Sequence, residues 1–208
     1  MDCVAQNRDL TIGVIHELHA ILTRHQDQTL AVDQFGRRYE IPLLKGRFKE
    51  QPNNPKRDDG SLHEDCPPLH VQSEMENLLK WLSGYPAEDP IIVAAWLHHR
   101  FTQIHPYQDG NGRVARAITT LVLLRSELLP LVIDRDLRVE YIGALEAADD
   151  GDLTALATMF AGLERAAILQ ALSVDVDADV SHHKTLTSAV IESLAAKFNK
   201  RREEKSNE

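Results

Sequence analysis

Apolar residues recur every three or four positions along most of this chain, and polar residues fill the positions between them. Side chains at that spacing share one face of a helix, so the pattern predicts amphipathic helices packed around a common core. The predicted helices cover residues 10–24, 70–84, 90–104, 113–129, 137–150, 151–172 and 185–198. In the first and third helices, the side chains expected to be buried are Val14, Leu18, Ile21, Leu22, Val93, Leu97, Phe101 and Ile104. The expected fold class is all-α.

Residues 26–68 interrupt the helical pattern with glycines and prolines, and only short extended pieces such as 37–44 fit among them. Residues 53–60 (NNPKRDDG) favour a tight turn, because Asn-Pro and Asp-Gly both promote reversal of the chain. The flanking segments 46–52 and 61–68 would then pair as a small β-hairpin. We therefore expect an exposed flap at about residues 46–64.

The composition is typical of a soluble globular protein, with 43% hydrophobic and 26% charged residues. No apolar run approaches the roughly 18 to 20 residues that a membrane span needs. The N-terminus lacks the basic-then-apolar pattern of a signal peptide. Cys3 and Cys66 stand in no motif that would bind zinc or build a disulfide framework. We expect a cytoplasmic protein with no membrane partner.

A chain of 208 residues fits one domain with an extension. We place the domain at residues 1–172, and a polar linker, a helix and a charged tail at 173–208. The formal net charge of −9 argues against general nucleic-acid binding, which depends on many Lys and Arg contacts to phosphate. Any basic site must therefore be local.

The stretch from His105 to Arg116 (HPYQDGNGRVAR) is a polar loop that leads into an apolar helix. A helix start presents free backbone N–H groups at the positive end of the helix dipole, and glycines let an anion approach them closely. Gly110, Asn111 and Gly112 stand at this position. The loop is therefore a candidate phosphate site.

Four further residues of the loop suit a nucleotide substrate. Arg113 and Arg116 lie three residues apart, on one helical face, where two guanidinium groups can hold outer phosphates. Asp109 can hold Mg²⁺, which prefers one or two carboxylates together with phosphate oxygens. His105 has the side chain best suited to accept a proton near neutral pH. Asp-Gly-Asn-Gly alone is a common turn, but the full set indicates phosphoryl or nucleotidyl transfer.

These residues resemble the loop of the Fic family, His-Pro-Phe-x-(Asp or Glu)-Gly-Asn-Gly-Arg-x-x-Arg. Only Tyr107 departs from it, where the family usually has Phe. The helix before the loop, the segment after the flap and the helices that follow are similar as well, over about residues 10–170. The resemblance implies a Fic-type helical bundle with a small β-hairpin flap. It also implies transfer of AMP from ATP to a Ser, Thr or Tyr hydroxyl of a target protein.

The resemblance further implies a role for each matching residue. His105 would be the general base, Asp109 would hold Mg²⁺, and Tyr141 would lie near the base of the nucleotide. The phosphate ligands would be Gly110, Asn111 and Gly112 as an anion hole, Arg113 at the β-phosphate and Arg116 at the γ-phosphate. Asp149 stands where many members have Asn. The flap would clamp the protein substrate by strand addition.

Alternative functions remain open on the same residues. The Doc-like branch transfers phosphate instead, but its loop has Ala and Lys where this chain has Gly110 and Gly112. A de-AMPylating enzyme and a non-enzymatic scaffold with a vestigial site are two others. A metal site formed by His98, His99 and His105 is less favoured than histidines that pack between helices, because consecutive side chains on a helix point about 100° apart.

Many Fic proteins restrain themselves through a helix with the motif (Ser or Thr)-x-x-x-Glu-(Gly or Asn). Ser188 and Glu192 fit that motif, except that Ser193 follows in place of Gly or Asn. The resemblance implies that Glu192 would pair with Arg116 and keep the γ-phosphate out. An antitoxin-like partner is the alternative source of inhibition.

Overall fold

A computed structural model describes residues 8–32, 36–53, 65–84 and 89–177, with the backbone alone for 174–177. These residues form six α-helices, one two-stranded sheet and a single 3₁₀ turn at Arg135–Leu137. The elements are α1 (Ile12–Leu22), β1 (Gln28–Val32), β2 (Arg38–Pro42), α2 (Pro68–Gly84), α3 (Pro90–Ile104), α4 (Asn111–Arg125), α5 (Arg138–Asp149) and α6 (Thr154–Asp177). The mostly helical fold class is as expected.

Local signals set several of the helix ends. Asp89 caps α3 by accepting a hydrogen bond of 2.9 Å from the amide of Ile91, and Pro90 occupies the first turn. The chain leaves α5 through Gly151, whose φ of +96° lies in the left-handed region that glycine tolerates. The predicted helix boundaries at Gly84, Pro90 and Gly151 are confirmed.

The main core forms around α3, which packs against α2, α4 and α5, while α1 packs on α4. Its fully or nearly fully buried members are Ile15, Val71, Met75, Leu78, Leu97, Phe101, Ile104, Tyr107, Val114, Ala115 and Ile118. A second cluster contains Ala94, Ala95, Leu123, Leu131, Ala144, Leu156, Met159 and Phe160. The predicted buried stripe of α3 is confirmed along its whole length.

The predicted buried face of α1 is wrong in part. Ile21 and Leu22 are 47% and 37% exposed, whereas Ile15 and His19 are completely buried. The reason is that the ring of His19 packs on Tyr107 and uses both nitrogens in hydrogen bonds. A histidine with both nitrogens satisfied can occupy a core position, so the buried face is turned toward it.

The predicted flap differs from the observed hairpin. The antiparallel hairpin is β1–β2, in which Gln28 pairs with Pro42 and Val32 pairs with Arg38, so it precedes the predicted flap. Residues 46–53 form no strand, and the strand predicted at 46–52 is therefore wrong. Residues 54–64 lie outside the described residues, and docking of a protein substrate at the flap stays a prediction.

The physical reason for the missing strand is that this segment is bonded to another part of the chain. The amide of Lys49 donates to Pro106 O at 2.8 Å, and the side-chain amide of Asn53 donates to Tyr107 O at 2.7 Å. The segment therefore contributes its polar groups to the loop at residues 106–108.

The end of α6 extends past the predicted linker boundary. The helix continues to Asp177, so the linker predicted to start at residue 173 is helical in its first residues. The chain divides into two compact units after Arg165, and of the second unit the structure describes 166–177 alone. Ser188 and Glu192 lie outside the described residues, so the domain boundary and the self-inhibition stay predictions.

One stretch of α6 is more apolar than the sequence analysis suggested. Thr154–Ser173 is long and apolar enough, at a mean hydropathy of 1.3, to match a membrane span by length and composition. A core helix passes the same test, and Leu156 and Phe160 of this stretch are completely buried in the second cluster. The test is therefore weak evidence for a membrane segment.

Tyr107 connects the polar loop to the core. Its ring is completely buried and stacks on His19, with 3.8 Å between ring centroids and 6° between planes. His16 and Phe48 meet the same ring at centroid distances of 5.8 Å. The hydroxyl is hydrogen-bonded to Nδ1 of His16 at 2.9 Å, and burial raises the pKa of this tyrosine.

Replacing Tyr107 with Phe tests the contribution of this hydroxyl. We expect Tyr107→Phe to lower the free energy of unfolding by about 1 kcal/mol, because Nδ1 of His16 loses its partner while the ring packing stays. Chemical denaturation measures the change, with Tyr39→Phe on the exposed strand β2 as the control. Equal stability of the two variants would show that the bond contributes nothing.

Candidate active site

The start of α4 presents backbone amides that no described residue uses. Gly110 precedes the helix, and its carbonyl accepts from the amides of Arg113 and Val114, both at 3.1 Å. The amides of Asn111 and Gly112 have no acceptor among the described residues. They lie at the positive end of the helix dipole, where an anion is stabilised. The predicted position of the phosphate site is consistent with this geometry.

Glycine is required at position 110 by both conformation and space. Its φ is +81°, and a Cβ there would lie 2.9 Å from Cγ2 of Thr23 and 3.4 Å from the ring of His19. Gly112 differs, because a Cβ at that position would meet Nη1 of Arg116 at 3.5 Å, an ordinary contact. A side chain at position 110 would therefore push the loop away from the end of α1.

The side chain of Asn111 holds the loop rather than a ligand. Its Nδ2 donates to Tyr107 O at 2.6 Å, and its Oδ1 accepts from the amide of Tyr107 at 2.8 Å. The residue is 4% exposed. The predicted contribution of Asn111 to an anion hole is therefore limited to its backbone amide.

His105 ends α3 in an unusual backbone conformation. Its φ and ψ are 49° and 58°, in the left-handed region that non-glycine residues seldom adopt, and its amide donates to Phe101 O at 3.0 Å. The Nδ1 atom of the ring lies in close contact with Oδ2 of Asp65. The ring is partly exposed, so Nε2 is the nitrogen left to exchange a proton with a substrate.

Asp109 is an ionised carboxylate with several donors. Its Oδ2 accepts from Gln26 at 2.6 Å and from Thr29 at 3.2 Å, and its Oδ1 accepts from the amide of Gly110 at 2.5 Å. Burial opposes ionisation, but these hydrogen bonds and the charge of Arg113 outweigh it and lower the pKa of Asp109. A pocket of about 270 Å³ is lined by Gln26, Gln28, Thr29, Leu30, Glu40 and Asp109.

The two arginines of the loop have different surroundings. Arg113 donates through Nη1 to Leu22 O at 3.1 Å and through Nη2 to Gln26 Oε1 at 2.6 Å. Arg116 is half-buried and makes no hydrogen bond or ion pair with the rest of the described chain. Arg116 is therefore the arginine whose donors are available to a ligand in the described part of the site.

Tyr141 lies in a buried hydrogen-bond network with His98. Thr119 donates its hydroxyl proton to Ala115 O at 2.7 Å, so it accepts from Nδ1 of His98 at 3.0 Å. Nε2 of His98 then accepts from the hydroxyl of Tyr141 at 2.7 Å. Burial lowers the pKa of His98 to about 3 and raises the pKa of Tyr141 to about 12.

The same network lies close to the loop. The positive charge of Arg116 is near enough to lower the pKa of both His98 and Tyr141. Tyr141 is thus brought near one of the predicted phosphate ligands. The side chain of His99 is bonded through Nε2 to Asp149 Oδ1 at 2.9 Å, which ties α3 to the end of α5. Both histidines therefore pack between helices, in agreement with the favoured interpretation.

Four residues of this site were not identified from the sequence. Gln26 and Thr29 donate to a carboxylate that lies 83 and 80 residues further along the chain. Asp65 meets a histidine forty positions away. His19 accepts at Nδ1 from the amide of Gly46 at 2.8 Å and contacts Asp109 O through Nε2 at 3.0 Å. Its spacing of four from Ile15 is the one pattern that could have indicated a buried side chain.

Comparison with known proteins identifies the family. A model of the Fic/DOC family matches residues 9–123, more than half of the chain. The chain therefore belongs to the Fic/DOC family.

Curated relatives are named as adenylyltransferases. Protein adenylyltransferase fic-1 of Caenorhabditis briggsae is 36% identical over 88 residues, which are 41% of this chain and 17% of the relative. Protein adenylyltransferase Fic of Drosophila melanogaster is 28% identical over 152 residues, 72% of this chain and 27% of the relative. The chain thus spans about a quarter or less of the length of these relatives.

Solved structures share the fold. A Fic family protein from Desulfovibrio desulfuricans G20 superposes with a TM-score of 0.65 at 27% identity, over 86% of this chain and 52% of that one. A Fic domain containing signaling protein from Bacteroides thetaiotaomicron gives 0.66 at 23% identity, over 78% and 62%. The expected Fic-type helical bundle is confirmed, and the strand predicted at residues 46–52 is the part that was wrong.

The buried His98 makes stability depend on pH. Its pKa is about 3 in the folded chain and about 6.5 when unfolded, so below pH 6.5 the unfolded chain binds a proton that the folded chain does not. The free energy of unfolding should fall by about 2 kcal/mol from about pH 7.5 to about pH 5 on account of this group. In His98→Gln that fall should be smaller by this amount, measured by denaturation at each pH. His70→Gln, on the exposed side of α2, should keep the full pH dependence, and an unchanged fall in His98→Gln would contradict the assignment.

Proposed function

We propose that this chain is a protein adenylyltransferase that transfers AMP from ATP to a Ser, Thr or Tyr hydroxyl of a protein. The proposal is supported by family membership and by the names of relatives that are 28% and 36% identical to it. The observation that carries it is the start of α4, where two amides without an acceptor among the described residues lie between an ionised Asp109 and a half-buried Arg116. His105 at the end of α3 adds a base next to this anion site.

In the proposed reaction, Nε2 of His105 takes the proton of the target hydroxyl. The hydroxyl oxygen forms a bond to the α-phosphorus of ATP, and the bond to the α–β bridging oxygen breaks, so that pyrophosphate leaves. The amides of Asn111 and Gly112 stabilise negative charge on the phosphates as this happens. Tyr141, whose hydroxyl proton is given to His98, offers only its oxygen as an acceptor to the nucleotide.

The phosphate contacts divide unequally between the two arginines. Arg116 has no bond among the described residues to give up when it binds the γ-phosphate. Arg113 would have to exchange its bonds to Leu22 and Gln26 for the β-phosphate. We therefore assign the stronger contribution to ATP binding to Arg116.

The residues around Asp109 fit a Mg²⁺ ion that arrives with ATP. The carboxylate is ionised, and Oδ2 is taken up by Gln26 and Thr29. Oδ1 accepts one hydrogen bond, from the amide of Gly110, and faces Nη2 of Arg113 at 3.7 Å, which leaves it a lone pair for a cation. A single carboxylate with phosphate oxygens and water is a donor set that Mg²⁺ accepts. Bound there, the ion would neutralise phosphate charge.

Loss of the base tests the proposed transfer. Wild-type protein incubated with Mg²⁺ and ATP should gain AMP, measured by intact mass, while His105→Ala should gain none and keep its affinity for a non-hydrolysable ATP analogue in calorimetry. The exposed His25→Ala serves as the control and should react like wild type. A gain of phosphate would favour the Doc-like alternative, and no gain under any condition would favour the scaffold. Loss of ATP binding in His105→Ala would contradict the role of base.

Asp109→Asn tests the metal position. The substitution keeps the size of the side chain and removes its charge, so the Mg²⁺ concentration for half-maximal rate should rise and the rate should fall by about tenfold or more. A Mg²⁺ titration of AMP transfer measures both. Asp27→Asn removes an exposed carboxylate just before β1, the strand that carries Thr29, and should leave the titration unchanged. A normal Mg²⁺ response in Asp109→Asn would place the ion elsewhere.

A further inference from the structure

We propose that Asp65 is a positioning residue for this reaction: its carboxylate holds Nδ1 of His105 and thereby directs Nε2 at the target hydroxyl. The inference rests on the proposed function for its chemical meaning, but the contact on which it depends belongs to the structure itself. Asp65 lies just before α2 and forty residues before the histidine, outside the loop motif.

The geometry supports a fixed orientation of the imidazole. The side chain of Asp65 is completely buried, whereas the ring of His105 is 24% exposed. The carboxylate therefore lies on the protein side of the ring, and the other side of the ring faces solvent. Since α3 ends at His105 and its backbone is left-handed, the helix itself does not set the direction of the ring. The contact between Nδ1 and the carboxylate of Asp65 is therefore what sets it.

A carboxylate buried this deeply needs positive charge nearby. Lys49 supplies it, since this lysine is 3% exposed and its charge and that of Asp65 act on each other. The Nζ atom of Lys49 donates to Asn53 Oδ1 at 2.9 Å, and its backbone amide is bonded to the active-site loop. Asp65 is thus held inside the protein next to the loop that it serves. Further ionisable groups around Asp65 are Cys66, His70, Glu74 and Arg100.

Two consequences for catalysis follow from this contact. The carboxylate beside Nδ1 favours the proton of neutral His105 on that nitrogen, which leaves the lone pair on Nε2, the nitrogen that must accept a proton. When the proton has moved to Nε2, the negative charge of Asp65 stabilises the imidazolium that has formed. The same division of work between a buried carboxylate and a catalytic histidine operates in serine hydrolases.

The first test needs neither a variant nor an active enzyme. Long-range ¹H–¹⁵N correlation spectra of the wild-type protein identify the nitrogen that carries the proton in neutral His105. We expect the Nδ1–H form, because the carboxylate of Asp65 lies against that nitrogen. An Nε2–H form would overturn the inference, whether or not the protein transfers AMP.

The second test separates positioning from binding. Asp65→Ala should lower the rate of AMP transfer at saturating ATP by about tenfold or more while leaving the affinity for the ATP analogue unchanged. Asp65→Glu, which restores a carboxylate, should recover part of the rate. Asp136→Ala removes an exposed carboxylate of the 3₁₀ turn and should behave as wild type.

The outcomes distinguish this inference from the proposed function. A wild-type rate in Asp65→Ala, or an equal loss of rate in Asp65→Glu and Asp65→Ala, would overturn the positioning role and leave AMP transfer intact. Absence of AMP transfer by the wild type would reject the proposed function, and the spectra would still decide the role of Asp65 in orienting the ring. If circular dichroism shows Asp65→Ala to be unfolded, Asp65→Glu and the spectra decide the question.

Discussion

The position of the candidate active-site loop, residues 105–116, depends on the burial of Tyr107 against His19. The ring is stacked in the core, and both polar groups of its backbone are bonded, to Asn111 from α4 and to Asn53 from the segment before α2. Three parts of the chain therefore meet at one residue of the loop. The carboxylate of Asp109 and the amides at the start of α4 that no described residue accepts from follow within five positions, so their locations are set by this anchor.

Tyr107 can be buried against His19 because both ring nitrogens of this histidine have hydrogen-bond partners. His19 accepts at Nδ1 from the amide of Gly46, so its proton is on Nε2 and is donated to Asp109 O. A second proton on Nδ1 would face the N–H of Gly46, and this disfavours protonation. Burial also lowers the pKa of His19. A neutral imidazole thus joins α1, the turn at Gly46 and the loop. A buried polar network in which every member has a partner makes the structure around it rigid.

What the sequence could predict was local. Pro90 and Gly151 act through their own backbone, and the residue types of the loop stand next to one another in the chain, so helix ends and loop were both visible. The buried face of α1 was not visible in the sequence. His19 is a polar residue type, and only its hydrogen-bond partners in the folded chain show why it is buried. The donors to Asp109 and the carboxylate at His105 come from distant segments, and only the folded chain shows that they meet.

Arg113 and Arg116 show why residue type alone does not assign a role. Arg113 is bonded to Leu22 O, at the C-terminal end of α1, where the helix dipole attracts a cation. Its charge also helps to keep Asp109 ionised. Three positions later, Arg116 lies beside Gly112, and its charge reaches Tyr141. The first arginine thus fastens α1 to the start of α4 and supports the carboxylate, which is why the proposed reaction assigns the stronger contact with the anionic substrate to Arg116.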